Sequence, residues 1–359
     1  FRSDPAELGG GDLRRGGAAQ GDALLQAAPL ATTVLLAVGA ISAVGGALVA
    51  IAQVDLKRAF SYSTTSYLGL VFIAVALQQP GIALLLLFAH GLAKALLFMS
   101  VGSIIATTNC QDLTELGGLG GRMPATTVAY LVGGAGLVGL LPLGCFWCYG
   151  LIVESIRPAA PLMAAVFILT NLLTALNLTR VFRSVFLGTP TPKTRRAPEV
   201  NWLMATPMVS LSVIVLLLPW IMQRLDPVPG IGSFSLPVAL VIAGSGAAGV
   251  VAGSLVHLDR FWSRSRQQAV RVVQDLLAFD FYTPAIYRAT IVAFVAALAN
   301  LASWFDRVVV NGLVNGIGRV SLISAEGLKL GVSGQMQTYV LTTLVAIVLL
   351  FTAMQWWFG

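Results

Sequence analysis

Two ionisable side chains lie inside the apolar segment LLLLFAHGLAKALLFMS and are the strongest candidates for chemistry in this chain. His90 and Lys94 are four residues apart, so a helix places both on one face. A lysine at the centre of a bilayer costs several kcal/mol, and a buried one is therefore functional or paired by default. Snorkelling is the alternative, but either end of the segment is roughly 20 Å away along a helix. The pair predicts proton transfer, with the lysine as carrier and the histidine as relay.

Weaker candidates stand at the ends of apolar segments. Asp55 and Lys57 follow the first segment, where charged residues act either as topology anchors or in gating and proton entry. The sequence leaves these two interpretations open. Arg180 and Arg183 lie near the end of the fifth segment, where snorkelling is easy, and we interpret both as anchors.

The three cysteines include the C-x-x-C spacing of Cys145 and Cys148, with Cys110 apart from them. Zinc or redox chemistry needs more ligands or a thioredoxin-like context, so buried packing is the default interpretation. The chain contains no strand-preceded GxGxxG, no P-loop and no HExxH motif. We therefore expect no cofactor and no metal.

The composition indicates how these residues are positioned. The chain has 359 residues, of which 57% are hydrophobic and 10% charged, and a mean hydropathy of +0.85. Soluble domains carry about a quarter charged residues, which excludes a soluble multi-domain enzyme. The sequence predicts an all-α polytopic membrane protein with about eight transmembrane helices, at residues 30–52, 61–78, 81–107, 125–156, 161–187, 203–223, 235–257 and 338–357.

The fourth of these segments is too long for one crossing and contains Pro142-Leu143-Gly144. Proline removes a backbone donor and glycine weakens a helix, so two half-helices are predicted, at 125–141 and 145–156. A broken span is tolerated only where neighbours or a water-filled cavity satisfy the freed backbone groups. Transporters build ion sites at such breaks.

The net charge of 22 − 15 = +7 is distributed between the apolar segments. This is the positive-inside pattern and not a nucleic-acid-binding stripe, so the expected partner is the lipid bilayer and no nucleic acid is expected. Only Arg157 and Arg224 fall on the opposite side. The basic side, predicted to be cytoplasmic, holds Lys57, Arg58, Arg122, Arg180, Arg183, Lys193, Arg195, Arg196, Arg260, Arg264, Arg266 and Arg271.

Residues 280–331 carry charges at helical spacing among apolar residues, which predicts an amphipathic helix of about 75 Å. It would lie along the membrane surface or against other subunits. The alternative is one further span at 289–303 followed by a loop.

The N-terminal segment and the domain boundaries complete the predicted organisation. Residues 1–29 are polar and glycine-rich without an initiator methionine, so we expect a disordered or non-native segment and a start within a longer protein. The predicted domains after it are 30–187 with five spans, 188–279 with two spans and loops, the lateral helix 280–331, and a C-terminal span in 332–359.

Four blocks carry a specific resemblance: VDLKRAFSYSTTSYLGLVFIAVAL, AHGLAKALLFMSVGSI, DLTELGGLGGRMP and LPLGCFWCYGLI. In order and spacing, over about residues 30–156, they resemble the antiporter-like subunits of respiratory complex I and its relatives. The stretch beginning DFYTPAIYR resembles the lateral helix of the distal member (NdhF/NuoL-type, chain 5). The resemblance implies two inverted five-span repeats, of which this chain has the second, with the first upstream of residue 30.

Carried over residue by residue, Lys94 matches the family's central buried lysine and His90 the histidine one turn before it. Cys148 stands where a second family lysine is expected, in the block GCFWCY. A thiol is neutral near pH 7 and supplies no fixed positive charge. This departure puts ordinary terminal proton release through the subunit in doubt.

The segments IAQVDLKRAFSYST, IAVALQQPGIALLLL and LTALNLTRVFRSVFLG look most like the cyanobacterial NdhF form of carbon-dioxide-uptake complexes. That resemblance implies a subunit, without its own redox site, of a proton-translocating ferredoxin or NAD(P)H:plastoquinone oxidoreductase in the thylakoid membrane. Its partners would be other membrane-arm subunits and a Cup-type carbon dioxide hydration protein. The alternatives are an Mrp-type cation/proton antiporter subunit and a non-catalytic scaffold in which His90 and Lys94 form a structural pair.

Overall fold

The computed structural model describes residues 29–225, 235–255, 275–332 and 334–358. The polar segment predicted at 1–29 lies outside the described residues except for Pro29. Within the described ranges the chain is helical and forms no β-strand, which confirms the predicted all-α class. It divides into two compact units, residues 1–281 and 282–359.

The first unit contains eight helices of 13 or more residues among its described residues. Proline stands at the start of α3, α4 and α6, where its missing N–H costs nothing. Asp55 caps α2, because its carboxylate accepts a hydrogen bond from the Arg58 N–H at 2.8 Å. The helices are α1 (Pro29–Ala52), α2 (Leu56–Ala76), α3 (Pro80–Thr108), α4 (Pro124–Leu137), α5 (Gly144–Ile156), α6 (Pro161–Phe186), α7 (Trp202–Leu225) and α8 (Leu236–Leu255).

Small residues let the helices of the first unit approach closely. In the contact between α1 and α2, a Cβ on Gly69 would lie 2.5 Å from the backbone nitrogen of Ala43. In the contact between α6 and α8, a Cβ on Gly249 would lie 2.2 Å from the Leu172 carbonyl oxygen. Such pairs are typical of helix packing in membranes, where backbones meet at glycine.

The break predicted at Pro142-Leu143-Gly144 separates α4 from α5. The first half-helix ends at Leu137 and not at residue 141, because Val138 is already extended. Helix α2 begins at Leu56, five residues before the predicted start, because Asp55 provides its cap.

Among the described residues, eight helices are long and apolar enough to cross a membrane, which is the predicted number, but the two sets of eight differ. The half-helices α4 and α5 have 14 and 13 residues and each falls short of a crossing. The segment Asp280–Lys329 qualifies instead, because its charges are spread over 50 residues. The number of candidate spans and the broken helix are confirmed, with Asp280–Lys329 among the eight in place of the broken segment.

The second unit contains a long helical run from Thr283 to Gly331, followed by α9 (Met336–Phe358). The run continues through two π-helical turns, Arg288–Val292 and Asp306–Val310. The loop predicted after a span at 289–303 is not formed, since the helix continues to Gly331. Its lateral placement stays a prediction.

Candidate functional site

Lys94 lies in the core of the first unit, with its side chain 4% exposed. Its ammonium donates a hydrogen bond to the carbonyl oxygen of Phe60 at 3.0 Å and another to the hydroxyl of Ser63. It also lies 5.2 Å from the ring centre of Phe60 and 5.7 Å from that of Phe98. No carboxylate of the described residues forms an ion pair with it. Neutral oxygens and aromatic faces therefore stabilise this ammonium.

His90 lies one helical turn before Lys94 and is 5% exposed. Its imidazole stacks on the ring of Tyr67, with 4.5 Å between ring centres and 29° between planes. Its Nδ1 has no hydrogen-bond partner among the described residues. The structure thus brings both predicted residues of α3 against α2, and leaves one imidazole nitrogen able to take up or pass on a proton.

Tyr67 connects this pair to the broken helix. Its hydroxyl donates a hydrogen bond to the carbonyl oxygen of Leu137 at 2.5 Å. Leu137 is the last residue of α4, and the final carbonyls of a helix have no partner within it. The tyrosine therefore satisfies one backbone group that the break sets free.

Asn171 on α6 satisfies the break from the other side. Its amide oxygen accepts a hydrogen bond from the Gly139 N–H at 2.8 Å. Its amide nitrogen donates to the Ile242 carbonyl at 3.0 Å and to the Ser245 hydroxyl at 2.9 Å, both on α8. Side chains of neighbouring helices thus form hydrogen bonds with the backbone groups that the break leaves unpaired, as a broken span in a membrane requires.

Cys148 is fully buried on α5, after the break. Its thiol donates to the carbonyl oxygen of Gly144 at 3.4 Å, one turn earlier in the same helix. Cys110, Cys145 and Cys148 are all free thiols. Among the described residues no group of three or more His, Cys, Asp or Glu side chains is placed to hold a metal ion.

Asp55 lines a polar cavity of about 520 Å³ at the basic end of the first unit, whereas Lys57 is exposed and outside its lining. Backbone hydrogen bonds join the α1–α2 and α3–α4 loops beside it, from Leu56 N–H to Gln111 O at 2.8 Å and from Leu113 N–H to Val54 O at 3.0 Å. Asp55 precedes Phe60 by five residues, or about 8 Å of helix. The cavity lies at the start of the same helix whose Phe60 carbonyl holds Lys94, but neither of these two residues lines it. Its charged lining residues are Asp55, Arg58, Asp112, Glu115 and Lys193.

Two of the charged residues that line this cavity, Glu115 and Lys193, form an ion pair. The Lys193 ammonium forms a hydrogen bond and an ion pair with the Glu115 carboxylate, which holds the pKa of Glu115 below its ordinary value and raises the pKa of Lys193. Burial raises the pKa of the Cys110 thiol, which donates to the same carboxylate at 3.2 Å. The Glu115 carboxylate therefore pairs with one charged group, the Lys193 ammonium, and accepts a hydrogen bond from one neutral group, the Cys110 thiol.

The interpretation of Arg180 as a snorkelling anchor is wrong. Its side chain is 2% exposed, and its guanidinium donates to the carbonyl oxygens of Gln53 at 3.0 Å and Ala50 at 3.4 Å, and to the Asn177 side chain at 3.2 Å. The end of α1 supplies free carbonyls that draw the arginine inward. Arg183, which is half-buried, donates to the carbonyl of Ser254.

The sequence reasoning missed Ser63, Tyr67 and Asn171 as parts of the site. A signal existed for Asn171, since a buried amide in an apolar segment needs hydrogen-bond partners. Ser63 and Tyr67 lie in a helix with many hydroxyl groups, and nothing in their spacing distinguishes them.

Comparisons with known proteins agree with this architecture. Residues 21–174 match the family described as "NADH:quinone oxidoreductase/Mrp antiporter, TM". The chain is 62% identical to NAD(P)H-quinone oxidoreductase subunit 5, organellar chromatophore 2, of Paulinella chromatophora, over 93% of this chain and 54% of that protein. It is 28% identical to the chloroplastic subunit 5 of Mesostigma viride, over 84% of this chain and 51% of that protein.

The likeness extends to a solved structure, the Mrp complex from Dietzia sp. DQ12-45-1b, with a TM-score of 0.51 and 20% identity over 62% of this chain and 49% of that chain. At this identity the likeness shows the fold alone. The chain spans about half the length of the curated relatives it matches. The buried lysine, the histidine and the broken span all lie within residues 21–174, the part of the chain that matches the NADH:quinone oxidoreductase/Mrp antiporter family.

Proposed function

We propose that this chain is a proton-translocating membrane subunit of an NAD(P)H-quinone oxidoreductase, in which Lys94 carries the proton and His90 relays it. The observation that carries the proposal is the burial of Lys94 without a carboxylate partner among the described residues. A buried ammonium held only by neutral groups has both protonation states within reach. A purely structural lysine would gain more from a paired carboxylate.

The proton step can be written from the side chains alone. Charged Lys94 releases a proton to the neutral imidazole of His90, which leaves a neutral amine and an imidazolium. The spacing of one helical turn puts the two groups close enough for transfer directly or through one bridging water. Protons would reach Lys94 from the polar cavity beside Asp55, and Lys57 at that helix end would bias their entry.

The subunit would work within a larger assembly. The relatives are named as subunits of NAD(P)H-quinone oxidoreductases, which supports other membrane-arm subunits as partners and electron transfer outside this chain. Their chromatophore and chloroplast locations support a thylakoid-type membrane, and their names support NAD(P)H as donor and a quinone as acceptor. Plastoquinone and reduced ferredoxin enter the proposal from the sequence resemblance alone.

The test is Lys94→Met in the intact complex in membrane vesicles. We expect quinone-dependent proton movement to fall to background while native gels show an assembled complex. Lys329→Met is the matched control, because it makes the same change at an exposed lysine, and we expect it to have no effect. Full proton movement in an assembled Lys94→Met variant would refute the proposal. Sodium-driven proton movement without an electron donor would instead indicate a cation/proton antiporter.

Coupling to carbon dioxide uptake, with a Cup-type hydration protein as partner, is the finer part of the proposal. It rests on Cys148, a neutral side chain at the position where the resemblance places a lysine. Hydration of carbon dioxide releases a proton that must leave before more bicarbonate can form. Without a lysine after the break, the proton would not be released through this position and would follow another route.

Cys148→Lys tests this finer proposal in a strain that depends on the complex for inorganic carbon uptake. We expect uptake to fall, because the new ammonium restores a charge beyond the break. Cys148→Met adds comparable length without charge and controls for packing; we expect it to retain most of the uptake. Unchanged uptake and proton movement in an assembled Cys148→Lys complex would show that the position only packs.

A further inference from the structure

We propose that Tyr67 is a positioning residue that couples the protonation of His90 to the geometry of the break between α4 and α5. The inference deepens the proposed function, since it takes His90 as the proton relay. It rests on two contacts made by opposite ends of one side chain, the ring and the hydroxyl.

The ring end of Tyr67 meets the relay. The stacked arrangement on His90, with 4.5 Å between ring centres, places the imidazole over the tyrosine face. An aromatic face attracts a cation more strongly than a neutral ring, so the force on Tyr67 changes when His90 takes up a proton. The other titratable groups around this pair are Lys94 on α3, and Tyr149 and Cys145 on α5.

The hydroxyl end of Tyr67 meets the break. Its hydrogen bond to the Leu137 carbonyl joins α2 to the last residue of α4. A rigid phenol ring links the two contacts, so a shift of the ring over His90 must move or strain this hydrogen bond. The tyrosine therefore transmits a change at the relay to the end of the first half-helix.

The second half-helix, α5, packs against α3 next to His90. A Cβ on Gly144, the first residue of α5, would lie 3.2 Å from the Cβ of Ala89, the neighbour of His90 in sequence. One end of the break thus contacts His90 through Tyr67, and the other packs against Ala89, the residue before His90. A loosened Tyr67 contact is expected to open the start of α5, which carries Cys145 and Cys148.

The two cysteines report this opening, because both are fully buried and react only when the segment opens. The experiment measures modification of Cys145 and Cys148 by N-ethylmaleimide, using mass spectrometry, in the whole complex in native membranes. A Cys110→Ser background removes the third thiol. We expect Tyr67→Phe, which keeps the ring and removes the hydroxyl, to increase the rate about fivefold, the effect of one lost hydrogen bond.

Tyr130→Phe is the matched control. Tyr130 is equally buried, and its hydroxyl donates to the Leu178 carbonyl at 2.9 Å, in the interior of α6 and away from the break. The same hydrogen-bond type is lost, so a general loosening of the bundle would appear in both variants. We expect the rate in Tyr130→Phe to stay within about twofold of the parent.

A double-mutant cycle separates coupling from structure. His90→Leu removes the stack, and we expect it to raise the rate in the parent but to add little in the Tyr67→Phe background. Independent, additive effects, an unchanged rate in Tyr67→Phe, or an equal rise in Tyr130→Phe would each overturn the inference. Because labelling needs no proton transport, failure of the Lys94→Met test would refute the proposed function without altering this result.

Discussion

The ammonium of Lys94 lies 3.0 Å from the carbonyl oxygen of Phe60, across the contact between α3 and α2. That carbonyl also accepts a hydrogen bond from the Ser63 hydroxyl at 3.0 Å, and Ser63 in turn accepts one from the lysine. The lysine is therefore held by dipoles from one turn of a neighbouring helix. Dipoles of this kind stabilise the charged form without trapping the proton as a carboxylate would.

Removing one of these dipoles tests the arrangement. We expect Ser63→Ala to slow proton-coupled turnover by about tenfold, since a hydrogen bond to a charged group contributes about 1.5 kcal/mol or more. Turnover is measured as quinone-dependent proton movement in vesicles. Ser66→Ala is the control, because Ser66 is also buried on α2 but donates to Ala43 on α1 at 2.6 Å. Equal losses in both variants would argue against a specific role for Ser63.

The buried Arg180 predicts a large effect on stability. Arg180→Met keeps the apolar stem but leaves the Ala50 and Gln53 carbonyls without their guanidinium donor. We expect a loss of about 3 kcal/mol in the free energy of unfolding, typical of unsatisfied buried groups. Thermal unfolding in detergent measures it. Arg183→Met, at a half-buried position, is expected to cost about 1 kcal/mol or less; equal losses would contradict the assignment.

The Glu115–Lys193 pair predicts a pH dependence. The depressed pKa of Glu115 stabilises the fold above the ordinary glutamate value and loses this effect as the pH falls through the folded-state value. The raised pKa of Lys193 stabilises the fold below the ordinary lysine value and loses the effect as the pH rises through the folded-state value. The melting temperature of Glu115→Gln should therefore lie below that of the parent near pH 7, with a difference that shrinks toward pH 3. A constant difference across this range would exclude the pair as its cause.

The long helical run predicts which membrane face it meets. Cysteines introduced at Arg307 and Arg319, which are both exposed, are expected to react with an impermeant maleimide added from the cytoplasmic side. A cysteine at Arg157, on the opposite side by the positive-inside pattern, is expected to react only from the other face. Labelling of 307 and 319 from the lumen alone would refute the placement.

Local patterns predicted much of this molecule. The pairing of His90 with Lys94 followed from a spacing of four residues, and the break followed from Pro142 and Gly144, because both depend on helix geometry alone. The hydrogen-bond partners of the site residues could not be predicted, for a different reason. Tyr67 is 70 residues from Leu137, and Arg180 is 127 residues from Gln53. Which face of a helix meets which carbonyl depends on the packing of the whole bundle, and no periodicity encodes it.

The contact between Arg180 and the end of α1 can form only late in translation. The Ala50 carbonyl is synthesised 130 residues before the guanidinium that binds it. At translation rates of about 5–20 residues per second, that separation is on the order of ten seconds. Throughout this interval α1 to α5 enter the membrane without the donor that finally holds the first helix. Until α6 has been synthesised, other donors such as water have to satisfy the Ala50 and Gln53 carbonyls, because a buried carbonyl without a partner costs free energy.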